Sequence, residues 1–420
     1  MDTKLNKEAL LYHTSKRPGK LEVISSKPCD SAYDLSLAYT PGVAEPCLRI
    51  KENPDDVYKY TIKGNLVAII TNGTAVLGLG NLGALASKPV MEGKAMLLKK
   101  YADINAFDIE LDTTDVDIFV RTVITMSPTF GAINLENIKA PECFEIEKRL
   151  IAALNIPVMH DDQHGTAIVS AAGLLNACEI AGKKLQNIKI VVNGAGSAAM
   201  ACSNMYLSLG VKKENLLMLD NKGVISKNRI DLSKYKQAFA INTNLSTLAQ
   251  AVESADVFIG LSKANLMTPK MVQSMAENPI VFALANPNPE ITYNEAIKAK
   301  SGIIYASGRS DIPNQINNVL GFPYIFRAAL DVRAIKINME MKKAAVYALA
   351  SIAKEPFLSI DSSESLSFGR DYFIPRPSDL RLLRTIVPAV AKAAIDSGVA
   401  RIDIPDMISY IKELDKRIIK

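Results

Sequence analysis

Three polar segments of this chain contain side chains that could perform acid–base or metal chemistry. The first contains Tyr39, which precedes a proline–glycine turn in YTPGVAE, and the second contains Lys94, which lies near the start of an apolar helical run, MEGKAMLL. A buried lysine must be compensated, or its pKa must fall towards the neutral range that a general base needs. The alternatives are a tyrosine buried under a loop and a lysine whose amine reaches solvent.

The third segment is acidic and lies at two junctions between a loop and a helix. Glu136 and Asn137 precede one apolar helix, and the sequence HDDQHG at 160–165 precedes another. Carboxylate and amide oxygens are ligands that Mg²⁺ and Mn²⁺ prefer. The alternative is that Asp162 caps a helix beginning near Gly165. The two histidines have the spacing of a zinc pair, but the aspartates and the glycine argue against a continuous helix there.

A strand, a glycine turn and a helix follow one another at 189–209, KIVVNGAGSAAMACSNMYLSL. Gly194 permits a tight turn, Gly196 lets backbone N–H groups approach a pyrophosphate, and the small Ala199 lets the helix pack on the strand. The next strand, at 216–219, ends in Asp220, which could accept hydrogen bonds from a ribose. Such a unit predicts NAD or NADP binding at a helix N-terminus.

A second glycine motif, GLGNLG at 78–83, matches the same pattern but is interpreted differently. Pro89 follows closely, where a dinucleotide-binding helix would continue, and interior proline disrupts helices. We therefore expect a bend packed closely against another backbone segment, with a supporting role near the cofactor or active site left open.

Composition limits the classes of protein to which the chain can belong. It has 420 residues, 48% of them apolar, a net charge of +5 and no tryptophan. This length predicts two domains. The lysine pairs are scattered in contexts typical of solvated faces, so we expect no nucleic-acid partner. No apolar stretch is long enough for a membrane span, and the first residues lack a secretory signal. Five scattered cysteines indicate reduced thiols and a cytoplasmic location.

The elements that must position these side chains form an α/β protein. We predict an N-terminal mixed α/β substrate and catalytic domain at 1–160, a doubly wound parallel-sheet Rossmann-type domain at 161–355, and a C-terminal helical extension at 356–420. Alternation of apolar runs predicts the strands at 66–70, 104–111, 188–192, 216–219, 257–260, 280–284 and 303–306. Helical spacing predicts helices at 2–15, 140–154, 165–180, 330–352 and within 377–420, and 359–367 is expected to be a mobile loop.

Several blocks in the same order resemble the bacterial malic enzymes. They are LAYTPGVAEPC, VLGLGNLG, KPVMEGKAMLLKKYADI, INLENIKAPECFEIE, VMHDDQHGTAIV, VVNGAGSAAMAC, FALANPNPEI and GRSDIPNQINNVLGFPYIFRAALDV. The resemblance implies oxidative decarboxylation of L-malate to pyruvate and CO₂, reduction of NAD⁺ or NADP⁺, assistance by Mg²⁺ or Mn²⁺, and a homodimer or higher oligomer. It also implies a short form, without the phosphotransacetylase-like domain that many relatives carry.

The resemblance assigns roles to residues that match the family's motifs. Tyr39 would be the general acid and Lys94 the general base, which also contacts substrate. Asp161 would support Lys94 or the metal shell. The metal ligands would be Glu136, Asn137 and Asp162, and substrate or nicotinamide would contact Asn286, Asn317 and Asn318. Cofactor binding would involve Gly194, Ala195, Gly196, Ser197, Ala198, Asp220, Lys222, Asn286 and Asn318.

Two features of the sequence qualify this expectation. The family usually has aspartate at the position of Asn137, so we expect weaker metal binding. Asp220 alone favours NAD, but Lys222 could neutralise a 2′-phosphate, so we favour NADP.

Two alternatives to this function stay open. One is a dehydrogenase of amino acids or 2-hydroxy acids that does not decarboxylate, and the other is an inactive relative that only binds cofactor.

Overall fold

The computed structural model describes residues 3–15, 17–76, 78–358 and 365–418. The strands are β1 (Leu66–Thr71), β2 (Asn105–Glu110), β3 (Ala132–Leu135), β4 (Val158–His160), β5 (Ile190–Asn193), β6 (Leu216–Asp220), β7 (Gly223–Val224), β8 (Val257–Gly260), β9 (Ile280–Ala283), β10 (Ile304–Ser307), β11 (Phe357–Leu358) and β12 (Ser365–Leu366). The α-helices are α1 (Thr3–Thr14), α2 (Ala32–Ala38), α3 (Ala44–Glu52), α4 (Val57–Tyr60), α5 (Ala84–Ala102), α6 (Val116–Met126), α7 (Glu142–Ala153), α8 (Asp161–Ile180), α9 (Ser197–Ser208), α10 (Lys234–Gln237), α11 (Leu248–Val252), α12 (Pro269–Ser274), α13 (Tyr293–Ala299), α14 (Phe322–Asp331), α15 (Met339–Ile352), α16 (Arg381–Asp396) and α17 (Met407–Ile418).

The first sheet is parallel and has the order β2-β1-β3-β4. Its central strand β1 is buried along its whole length, which explains why its sequence, LVAIIT, is almost continuously apolar. The strands predicted at 66–70 and 104–111 correspond to β1 and β2. Because β3 and β4 are neighbours, the segments that follow them begin side by side at the carboxyl edge of this sheet.

The second sheet has the order β10-β9-β8-β5-β6-β7, and only the short β7 pairs antiparallel. All five strands predicted between 188 and 306 are present within two residues of their predicted ends. The strand order reverses between β5 and β8, and a crevice at the carboxyl ends of such strands is where ligands bind in open α/β sheets. The predicted doubly wound α/β fold class is therefore confirmed.

The prediction of one long helix at 330–352 is wrong. The chain forms α14 and α15, and Arg333 adopts a left-handed backbone conformation with φ of 45° just after α14 ends. The break lets both helices pack against α16, which belongs to the predicted C-terminal extension. The predicted extension is itself not one continuous helix, because α16 and α17 are separate.

The expectation that Pro89 prevents a helix is also wrong. Helix α5 runs through Pro89, which lies in its second turn. Only one backbone hydrogen bond is lost there, from the carbonyl of Leu85, and Leu85 is 86% exposed, so solvent can replace the missing donor. The expected close approach of backbone at the GLGNLG motif is confirmed, since a Cβ atom at Gly78 would overlap the carbonyl oxygen of Asn286.

The two large sheets fall within 1–160 and 161–355, and the three domain boundaries given above stay a prediction. Of the expected mobile loop at 359–367, residues 359–364 lie outside the described residues. In the part of the chain that the structure describes, no helix has both the length and the apolarity that crossing a bilayer requires.

Candidate active site

Lys94 lies at the centre of a buried cluster of charges. Its side chain projects from α5, is 8% exposed, and donates a hydrogen bond to Asp161 Oδ2. The same Nζ atom lies 3.2 Å from Glu136 Oε1 and 4.3 Å from the centroid of the Phe322 ring. The alternative in which the Lys94 amine reaches solvent is therefore wrong.

The pKa of Lys94 moves in the opposite direction from the one expected. Burial alone would lower this pKa, but attraction by Asp161, Glu136 and Asp162 outweighs burial and raises it above the usual lysine value. For the carboxyl groups, burial has the opposite effect. It raises the pKa of both Glu136 and Asp161 to about 7, and that of Asp162 to about 6. In this arrangement Lys94 is a protonated donor to the carboxylates.

Two neighbouring strands position the carboxylates. Glu136 follows β3, and Asp161 and Asp162 follow β4 as the first residues of α8. Helix α8 therefore begins four residues earlier than predicted, its N-cap residue is His160, and the capping role considered for Asp162 is wrong. One turn further on, a Cβ atom at Gly165 would overlap Asp161 Oδ1, so only glycine leaves that carboxylate in place.

The predicted metal ligands are close to one another. Asn137 has φ of 52°, its N–H donates to Asp162 Oδ2 over 2.7 Å, and its side-chain amide donates to Asp162 Oδ1 over 3.2 Å. Asn137 Oδ1 and Asp161 Oδ1 are buried acceptors without a hydrogen-bond donor. Buried acceptors of this kind suit a hard divalent cation, so the donor set fits Mg²⁺ or Mn²⁺.

The same residues do not form a ready-made metal centre in this arrangement of side chains. Among the described residues, no group of three or more histidine, cysteine, aspartate or glutamate side chains is placed to hold a metal ion. The ammonium group of Lys94 instead compensates the charges of Glu136 and Asp161. The assignment of Glu136, Asn137 and Asp162 as metal ligands stays a prediction.

The two histidines of the HDDQHG segment have separate surroundings. His160 is fully buried, and its Nε2 lies 3.7 Å from Asp162 Oδ2. His164 lies within α8, so the argument against a helix at this segment is wrong, and its Nε2 lies 3.0 Å from a carboxylate oxygen of Glu147. Glu147 also accepts the backbone N–H of His160 over 2.8 Å, so it ties α7 to the start of α8.

The predicted dinucleotide turn joins β5 to α9 in the second sheet. Gly194 has φ of 137°, and a Cβ atom there would lie 2.5 Å from the carbonyl oxygen of Leu261, so glycine is required on both grounds. Gly196 is the N-cap residue of α9, without a side-chain cap, and Ala199 is buried against the sheet. Ala195, Ser197 and Ala198 lie in the same turn, where the first helical N–H groups can face a phosphate.

Asp220 ends β6, as predicted, but its carboxylate is already fully engaged. Its Oδ1 accepts Arg229 Nη1 over 2.8 Å and the backbone N–H of Lys222 over 2.9 Å. Its Oδ2 accepts Arg229 Nη2 over 3.1 Å and Lys236 Nζ over 2.6 Å. The side chain of Lys222 is 65% exposed and lies 2.9 Å from Asp231.

The three predicted asparagines lie at different places around the crevice. Asn318 donates a hydrogen bond to Asp161 Oδ2 over 2.6 Å, which brings it into the Lys94 cluster. Asn317 instead uses its side-chain oxygen to cap the turn at Val319. Asn286 follows β9, where the buried Glu290 braces the loop by accepting the N–H of Ala285 over 3.1 Å.

Tyr39 is not brought to this cluster. It follows α2, is 68% exposed, and makes no hydrogen bond or ring contact with Lys94 or the carboxylates in the described part of the chain. In a single copy of the chain, Tyr39 is therefore not buried under a loop, and that alternative is wrong.

Sequence reasoning missed several residues of the site. Phe322 approaches Lys94 from α14, and Glu147 of α7 contacts the two histidines at the start of α8. Arg229 and Lys236 bind Asp220. Periodicity gave no signal for Phe322 or Glu147, because both occupy ordinary helical positions. The cations at 229 and 236, which follow β7, could have been found from their proximity in sequence to Asp220.

Comparison with protein families gives two consecutive matches. Residues 18–151 match the family model described as malic enzyme, N-terminal domain, and residues 163–362 match the model described as malic enzyme, NAD binding domain. The first region contains Lys94 and Glu136, and the second contains the dinucleotide turn, whereas Asp161 and Asp162 lie between the two matched regions.

Individual relatives agree with these matches. The chain is 57% identical over 397 residues to the NADP-dependent malic enzyme of Halomonas elongata, covering 94% of each protein. It is 51% identical to the NAD-dependent malic enzyme of Rhizobium meliloti, covering 99% of this chain but only 55% of that protein. Several other relatives are likewise nearly twice as long as this chain.

Solved structures share the fold along nearly the whole chain. The crystal structure of malic enzyme from Pyrococcus horikoshii superposes with a TM-score of 0.90 at 42% identity, covering 99% of this chain and 96% of that one. The structure of Entamoeba histolytica malic enzyme gives a TM-score of 0.90 at 33% identity.

Proposed function

Because this chain belongs to the malic enzyme family, we propose that it catalyses the oxidative decarboxylation of L-malate to pyruvate and CO₂ with reduction of NAD(P)⁺. The observation that carries this proposal is the buried cluster of Lys94, Glu136 and Asp161 beside Asp162. It places a proton-carrying amine among oxygen donors, and the second sheet of the same chain carries a dinucleotide turn.

In this proposal Lys94 is the general base that takes the proton of the malate C2 hydroxyl. Two of the carboxylates that raise its pKa, Glu136 and Asp162, would also bind the cation. Cation binding would then weaken their attraction for the ammonium group and lower the pKa of Lys94, so that the amine could accept a proton. A divalent ion held by Glu136, Asn137 and Asp162 would supply Lewis-acid polarisation of the C2 oxygen. Asp161 and the Phe322 ring hold the amine in position.

A bound NAD(P)⁺ would supply the nicotinamide ring that accepts the hydride from C2. Asn318, through its hydrogen bond to Asp161, links the Lys94 cluster to the segment that follows β10. A phenol placed beside C3 would complete the reaction by protonating the enolate that remains when CO₂ departs, and Tyr39 is our candidate for that general acid.

Since Tyr39 is exposed, we propose that it acts in the site of a second copy of the chain, within a homodimer. Helices α2 and α3, on either side of Tyr39, bury none of their residues. Exposed apolar side chains continue along this arm at Leu10, Leu11, Val23 and Ile24. Leu85, at the start of the helix that carries Lys94, is also exposed, and it offers an apolar contact for the arm of a second copy.

Subunit mixing tests the placement of Tyr39. A Tyr39→Phe variant and a Lys94→Met variant, each inactive alone, are mixed under conditions that exchange subunits. If Tyr39 acts in the partner's site, each mixed dimer has one intact site, and a random mixture recovers about a quarter of the parent activity. No recovery despite confirmed exchange would show that Tyr39 acts within its own subunit or not at all.

We propose that the cofactor is NADP rather than NAD. The side chains around Asp220 carry more positive than negative charges. The cations are Arg229, Lys236 and Lys222 and the anions are Asp220 and Asp231, so the net charge is positive. With every oxygen of Asp220 engaged, the carboxylate has no free acceptor for a ribose, and the exposed Lys222 can contact a 2′-phosphate.

The preference for NADP over NAD can be measured without turnover by comparing the binding of 2′,5′-ADP, which carries the 2′-phosphate, with that of 5′-AMP, which lacks it. Lys222→Glu should weaken 2′,5′-ADP binding by about tenfold or more and leave 5′-AMP binding unchanged. Lys213→Glu, at the opposite end of β6, is the control for net charge. Equal effects of the two substitutions would contradict the assignment.

The activity itself is tested with malate and each cofactor, with and without Mn²⁺, while reduced nicotinamide and pyruvate are followed together. Equal amounts of both products, lost on adding EDTA, are expected. Reduced nicotinamide without pyruvate would favour a dehydrogenase that does not decarboxylate, and the absence of both products would favour an inactive relative.

We also propose a cytoplasmic location, supported by five unpaired cysteines and testable by cell fractionation.

A further inference from the structure

A cavity of about 310 Å³ lies between α7, α8, α9, α10 and α15. None of its lining residues is among those that we assign to catalysis, metal binding or cofactor binding. Its volume is at the lower end of the range for small-molecule sites. The cavity is therefore a separate feature of the fold.

The wall of this cavity is mainly apolar and flexible. Its large apolar side chains come from four helices and the segment after α10, and they are Phe144, Met200, Met205, Tyr235, Phe239 and Met339. Methionine side chains adapt to ligands of irregular shape. Such a wall suits an aliphatic or ring-shaped body better than a hydroxylated diacid such as malate.

One cation on the wall lacks a partner. Lys342, on α15, is only 9% exposed, and no hydrogen bond or ion pair reaches its Nζ atom among the described residues. The nearby carboxylate of Glu147 attracts it from a distance, while its oxygens are occupied by the backbone N–H of His160 and by the side chain of His164. A buried ammonium group without an acceptor is costly, and an anion in the cavity would supply one.

We propose that this cavity is a binding site for a small monoanion with an apolar body, such as an aliphatic carboxylate. The anionic group would contact Lys342 Nζ, and the body would pack among the methionine and aromatic side chains. At about 30 Å³ for each group the size of a water molecule, there is room for about ten non-hydrogen atoms. This site is independent of the proposed reaction, since none of its residues takes part in it.

Calorimetric titration of the intact chain with hexanoate tests the site, with hexylammonium and hexan-1-ol as charge controls. Hexanoate should bind, and hexylammonium should not. Lys342→Met, which keeps an unbranched apolar stem but removes the ammonium group, should weaken hexanoate binding by about tenfold or more. The control is Lys343→Met, the neighbouring lysine, which does not line the cavity and should leave binding unchanged.

A second variant guards against misfolding of Lys342→Met. Asn204→Phe, at an exposed lining position on α9, should fill the cavity and abolish hexanoate binding while the urea midpoint stays that of the parent. No binding of hexanoate to the parent at about 10 mM would overturn the proposal. Equal affinity for hexan-1-ol, or unchanged binding in both variants, would overturn it as well. These outcomes are independent of whether malate is oxidised.

Discussion

The buried carboxylate at the end of β6 allows a quantitative prediction for Asp220→Asn. The Asp220 side chain is 5% exposed, and its two oxygens accept four hydrogen bonds, from Arg229, Lys236 and the Lys222 backbone. An asparagine at this position keeps one oxygen acceptor and turns an amide NH₂ group, which can only donate, towards a cation. The variant therefore loses the charge and the bidentate contact together.

The size of the effect follows from the pKa of Asp220. Burial opposes ionisation, but hydrogen bonds from Arg229 and Lys236 outweigh burial and lower the pKa from 3.8 to about 2. Each unit corresponds to about 1.4 kcal/mol, so the carboxylate contributes on the order of 2 kcal/mol to folding. Asp220→Asn should lower the free energy of unfolding at neutral pH by about that amount.

The pH dependence has a definite sign. Because the pKa of Asp220 is lower in the folded chain, its stabilisation is complete above the unfolded pKa of 3.8 and is lost as the pH falls through about 2. The difference in unfolding free energy between parent and variant should thus stay constant between about pH 8 and pH 5 and shrink below about pH 4.

Urea unfolding followed by circular dichroism at several pH values is the assay. The matched control is Asp396→Asn, which removes an exposed carboxylate 2.7 Å from Lys392 within α16 and should change stability by less than about 0.5 kcal/mol. A difference for Asp220→Asn no larger than that of this control at neutral pH would refute the reasoning, as would a difference that grows on acidification.

Three further predictions concern the Lys94 cluster. Asn137→Asp adds a carboxylate beside Asp162, and Mn²⁺ titration should show tighter binding than in the parent; unchanged affinity would count against Asn137 as a ligand. Lys94→Met should reduce kcat for malate oxidation by about a hundredfold to ten-thousandfold while 2′,5′-ADP binding stays unchanged, and near-normal kcat would exclude Lys94 as the base. Gly165→Ala forces a methyl group onto Asp161 Oδ1, so Mn²⁺ affinity and stability should both fall. In the control Gly93→Ala, where a Cβ atom meets nothing within 4 Å, Mn²⁺ affinity should stay unchanged and stability should not fall, since alanine is the better helix former.

The local pattern of residues was enough to predict the parts of the fold that depend on neighbours in sequence. Apolar patterns predicted β1 and β2 of the first sheet and every strand of the second sheet except the short β7, and the glycine turn at Gly194 predicted the β5–α9 junction. The short strands β3 and β4, which lead into the acidic residues of the site, were not predicted. Family motifs selected Lys94, Glu136 and Asp162, which the structure brings together. Helix ends were less predictable: the break near Arg333 and the continuation of α5 through Pro89 depend on packing and on solvent at the exposed turn.

The amino-acid sequence by itself determined the α/β class, the order of the strands along the chain and the residue types available for chemistry. Only the tertiary structure decided the ionisation of those residues and their partners, because electrostatic energy depends on distance and burial rather than on spacing along the chain. Three carboxylates hold the proton on Lys94, and the side chains of Arg229 and Lys236 fold back from the segment after β7 to engage Asp220. Tyr39 is left exposed, since a single chain offers it no surface to pack against.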